Sequence, residues 1–69
     1  MSNKFGFIAG WNDTAFGINT CRRKEQLDTY IRAMSNCVGN AKQPYKLGVK
    51  AALMFYSSTG KRLFSLNMT

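Results

Sequence analysis

The chain opens on a period of two. From Phe5 to Trp11, the larger residues Phe5, Phe7, Ala9 and Trp11 alternate with Gly6, Ile8 and Gly10, as in a strand with one buried face. Asn12-Asp13-Thr14-Ala15 is rich in turn formers, and the alternation resumes through Phe16, Ile18 and Thr20. Together these segments predict a β-hairpin. The period then lengthens. Leu27, Tyr30, Ile31, Met34 and Val38 recur at i, i+3, i+4, i+7 and i+11, one apolar stripe of a helix running from Arg23 to Val38. Gly39 stands where a C-terminal cap belongs, and Lys24, Asp28 and Arg32 place opposite charges four apart on the exposed side.

Asn40 to Lys46 holds the only proline, Pro44, and reads as a loop. Val49 to Tyr56 is apolar, Ser57-Ser58-Thr59-Gly60 is turn-like, and Leu63, Phe64 and Leu66 continue the apolar character, which predicts a second hairpin. A helix over Lys46 to Tyr56 competes, because Ala51, Ala52, Leu53 and Met54 favour one and Leu47, Ala51, Met54 and Phe55 would share a face. The aromatic end and the turn favour the ribbon. The expected fold is therefore α+β, ββαββ: one small domain over residues 1–69, an antiparallel sheet of two hairpins with a single helix packed on one face.

Composition adds the question of what holds so short a chain together. Its 69 residues allow one domain, and 45% apolar with 13% aromatic residues is enough for a compact core. Domains below about 70 residues commonly need a disulfide, a metal or self-association. Cys21 and Cys37 are the only cysteines and histidine is absent, so the usual four-ligand zinc site cannot be assembled within one chain. The start lacks the long apolar region of a signal peptide, which points to the cytoplasm and to free thiols. A homodimer formed through the bare sheet face is the remaining staple. No apolar run approaches the roughly 20 residues of a membrane span.

Catalysis has little to work with. General acid-base chemistry usually needs a histidine or a carboxylate pair in a pocket. Here Asp13 falls in a predicted turn, and Glu25 and Asp28 lie on the solvent side of the helix. Neither cysteine has an obvious base. Thr59-Gly60-Lys61-Arg62 resembles the end of a phosphate loop, but Phe55 occupies the earlier glycine position and no Ser or Thr follows Lys61. The expectation is a protein that is not an enzyme and takes no cofactor.

Charge carries the positive part of the reading. Ten Lys and Arg against three acids give +7, a field that attracts polyanions or acidic surfaces. Arg22-Arg23-Lys24 sits at the predicted helix start, where the helix dipole favours acids. Three cations there cost a little stability, a local conflict that a bound anion would resolve. Lys61 and Arg62 form a second basic site at the predicted hairpin tip, and Trp11 and Tyr45 are candidates for stacking on bases, with core or rim packing as their alternative. The expected function is non-enzymatic binding of DNA or RNA with weak sequence preference through Arg22, Arg23, Lys24, Lys61 and Arg62. The alternative is a small inhibitor or adaptor of the kind encoded by phages and mobile elements, whose basic surface occupies an acidic or nucleic-acid-binding site on a larger host complex.

Overall fold

The computed structural model describes residues 3–39 and 42–66, and contains three helices: α1 (Asn3–Thr20), α2 (Lys24–Val38) and α3 (Pro44–Thr59). Among the described residues there is no strand, so the ββαββ sheet and the α+β class are overturned in favour of an all-α domain. The predicted helix is present as α2, and Gly39 caps it with its N–H donating to the Ser35 carbonyl at 3.1 Å.

Both hairpins fail for physical reasons that single residues show. In α1 the buried residues Ile8, Trp11, Ala15 and Ile18 follow a spacing of three and four. Phe5 and Phe16 stand on the opposite, exposed face, 48% and 72% accessible. A helix apolar on both faces contains alternating pairs by accident, and Phe5, Phe7, Ala9 and Trp11 are such a set. The turn formers lie in mid-helix because each has found another partner. Thr14 Oγ1 donates to the Gly10 carbonyl at 2.8 Å, Asp13 accepts from the Tyr45 hydroxyl at 2.5 Å, and the Asn12 amide pairs with Leu66. For Asn12 and Asp13 the local side-chain to backbone competition that makes them poor helix formers is thereby removed, and Thr14 makes the back-bond to the preceding turn that a helix accommodates.

α3 replaces the second hairpin. Pro44 is in its first turn, where a missing N–H costs nothing, so the predicted loop ends at Gln43; Asn40 and Ala41 lie outside the described residues. The competing helix is thus the one that forms, but on a different face: Gly48, Val49, Ala52 and Leu53 are buried, while Leu47 and Met54 point outward.

The buried face explains the glycines. α1 and α3 lie side by side with their N-termini together, Gly6 against Pro44, Gly10 against Tyr45 and Val49, and Gly48 against Phe7 and Trp11. A Cβ at Gly10 would overlap the Tyr45 carbonyl oxygen, and one at Gly48 the Phe7 carbonyl oxygen. Backbone meets backbone here, which only glycine permits. Each glycine costs about 1 kcal/mol of helix propensity, offset by this approach. α2 leans on the pair more loosely, since only Val38 is buried and Leu27, Tyr30, Ile31 and Met34 are half-buried against the core. No helix among the described residues is long and apolar enough to cross a membrane.

The staple is the C-terminal segment. Leu63 is buried in the core. Asn19 donates to the Leu63 carbonyl at 2.8 Å and accepts from its N–H at 3.2 Å, and Asn12 treats Leu66 in the same way at 3.0 and 2.7 Å. Two turns of helix place these asparagines roughly 10.5 Å apart. Three residues of chain span about 10 Å only when extended. The tail therefore runs nearly straight and antiparallel to α1, held by side chains as a sheet neighbour would hold it.

Candidate nucleic-acid interface

The up-down-up order brings the end of α1, the start of α2 and the end of α3 to one end of the bundle. All five predicted basic residues lie in or beside these ends. Arg22 lies in the α1–α2 connection, Arg23 is the N-cap of α2 and Lys24 its first residue. Lys61 and Arg62 follow Gly60, the left-handed C-cap of α3, whose N–H donates to the Tyr56 carbonyl at 2.7 Å. Arg62 reaches across to α1, its Nη2 donating to the Asn19 carbonyl at 3.4 Å. Arg22 and Arg62 line one open cleft of about 580 Å³ with Asn19, Thr20, Cys21 and Tyr56. All five cations are exposed.

Two electrostatic features distinguish this end. Arg62 complements the unpaired carbonyls at the end of α1, a favourable placement. Arg23 does the opposite. Arg23 has the extended backbone usual for an N-cap, but its side chain offers no acceptor to the first-turn amides and makes no capping bond. The first α2 amide bonded across this boundary is that of Leu27, to the Arg23 carbonyl at 3.0 Å. A cation thus stands where an oxygen would stabilise the helix.

The remaining lysines do not join the cluster. Lys4 and Lys42 line a cavity with Phe7, Pro44 and Leu47 at the other end of the bundle, and Lys50 lies in the α2–α3 groove beside Ile31 and Met54. Cys37 is exposed, whereas Cys21 is half-buried with its thiol 3.2 Å from the Gly17 carbonyl; both are free.

Neither aromatic candidate sits with the basic cluster. Trp11 is 6% exposed and its Nε1 donates to the Phe64 carbonyl at 2.8 Å, so it packs as core. Tyr45 is partly exposed in the first turn of α3, at the opposite end. Its hydrogen bond to Asp13, with burial and the Asp13 charge adding to it, pushes its pKa up to about 12. Tyr30 is also raised, chiefly by its partial burial against α1. The sequence reading missed Phe55 and Phe64. Their rings stand 5.7 Å apart edge to face, each 5.5 Å from Trp11, and both reach solvent. It also missed Asn12 and Asn19, whose spacing of seven becomes a signal once residues 3–20 are read as one helix.

Comparison with known proteins finds no matching family model, curated relative or solved structure.

Proposed function

We propose that this domain binds nucleic acid without catalysis, through the basic end formed by Arg22, Arg23, Lys24, Lys61 and Arg62. The observation that carries the reading is the convergence of two separate basic segments, nearly forty residues apart in sequence, on one cleft between Arg22 and Arg62. The uncapped start of α2 supports it, because a phosphate there would accept from amides and arginines at once. The contacts are to backbone phosphates, so sequence preference is weak. A cytoplasmic setting suits two free thiols.

The test is direct. Purified from cells, the protein should carry nucleic acid, seen as excess absorbance at 260 nm that high salt removes, and should bind labelled DNA or RNA at low salt. Replacing all five cations by Gln should abolish binding and leave the melting curve in place. A protein that binds neither duplex nor single strands at low salt would refute the reading and assign the basic end to an acidic protein surface.

A further inference from the structure

We infer that the basic end takes single strands in preference to duplex, with Phe64 as a platform on which a base stacks; this rests on the phosphate-binding reading above. Phe64 is 55% exposed although the tail is held by hydrogen bonds on both sides of it. The preceding Leu63 is buried and paired at both its N–H and its carbonyl with Asn19. The carbonyl of Phe64 itself accepts from Trp11, and Leu66 is paired at both groups with Asn12. Beneath and beside the ring lie Trp11 and Phe55, which keep it from folding away. The ring is thus fixed in position and open to solvent, the opposite of what hydrophobic burial alone would select.

Charge decides what kind of partner fits. Leu63 points inward, and Arg62 and Phe64 both reach solvent on either side of it. In the extended tail their Cα atoms are roughly 6.6 Å apart. An arginine and an exposed ring at that separation match a phosphate and a base of one extended strand, since single-strand binders combine a basic track with aromatic rings. Duplex offers its phosphates to Arg62 but keeps its bases stacked inside, so Phe64 has nothing to meet. A neutral apolar partner would use the ring and be indifferent to Lys61 and Arg62.

The experiment compares three labelled probes by fluorescence anisotropy: a thymidine oligonucleotide, an abasic strand of equal length, and a duplex. The abasic strand keeps the phosphates and lacks the rings. The thymidine strand should bind about ten-fold tighter than the abasic one, the order of one stacked base. Phe64→Leu, which keeps apolar packing on Trp11, should erase that advantage, and Phe64→Trp should preserve it. Equal binding of thymidine and abasic strands overturns the stacking inference and leaves phosphate binding standing, as does a Phe64→Leu protein that still prefers bases. Failure of all three probes overturns both.

Discussion

Gly48→Ala separates the close helix crossing from any looser packing by the sign of its effect. In an open helix, replacing glycine by alanine stabilises by about 1 kcal/mol through propensity. At Gly48 the added Cβ would overlap the Phe7 carbonyl oxygen and come within 2.8 Å of the Trp11 backbone nitrogen. Both are backbone atoms of α1, so no rotamer change relieves the clash and the helices must move apart. Overpacking of this kind costs roughly 1–3 kcal/mol, at the upper end when backbone is involved. With about 1 kcal/mol of propensity gained, the net loss is about 2 kcal/mol. That is a large share of the roughly 3–10 kcal/mol available to a chain of this length. For so small a domain it lowers the melting temperature by about 8–16 °C, readable by circular dichroism at 222 nm. Gly10→Ala, opposed by the Tyr45 carbonyl, should behave alike, and Gly17→Ala more mildly because it meets the movable end of Tyr30. An unchanged or higher melting temperature for Gly48→Ala would refute the α1–α3 crossing.

Further outcomes follow from the tail, the N-cap and the one strongly shifted tyrosine. Asn12→Ala with Asn19→Ala removes four hydrogen bonds to the tail, worth about 1 kcal/mol each at most when partly exposed, so trypsin should cut at Lys61 and Arg62 faster and Trp11 emission should shift to the red. Arg23→Ser supplies the missing cap and should raise stability by about 1 kcal/mol while weakening nucleic-acid binding. Tyr45 holds its proton more tightly folded, about 12 against an ordinary value of 10.0, so its contribution is intact below pH 10 and is lost as pH rises toward 12. Tyr45→Phe should therefore be less stable than wild type at pH 8, with the gap closing in alkali. The homodimer expected from chain length would use the exposed rings of Phe5 and Phe16 on α1, and sedimentation at tens of micromolar should give twice 7.8 kDa for wild type and the single mass for Phe16→Glu.

What was legible in the sequence is what one helix face decides alone. The α2 stripe from Leu27 to Val38 has a polar back and a glycine stop, so its type and end were readable. α1 was not, because Phe5 and Phe16 blur the stripe and the justification for Gly6 and Gly10 lies about forty residues away, on α3. Asn12, Asp13 and Thr14 look like a turn until their partners in the tail, in α3 and one turn back are known. In α3 the helix was visible in its alanines, but its buried face was not: the bulky Met54 lies outside and Gly48 inside, since close approach selects small residues over greasy ones. The same holds for the candidate site. Arg22-Arg23-Lys24 was conspicuous for opposing the helix dipole and Lys61-Arg62 as a basic tip, whereas their meeting across one cleft depends on the direction in which α3 returns.

The salt dependence of binding tests the central claim most directly. If three or four of the five cations neutralise phosphates, the logarithm of affinity for a single strand falls linearly with the logarithm of salt concentration, with a slope of about −2 to −3. The combined change Arg22→Gln, Arg23→Gln and Lys24→Gln should flatten that slope to about −1, the part left to Lys61 and Arg62, and leave the melting temperature equal or slightly higher, because the three cations oppose the α2 dipole. A slope near zero for the wild-type protein, or one that the triple change leaves untouched, would contradict the account.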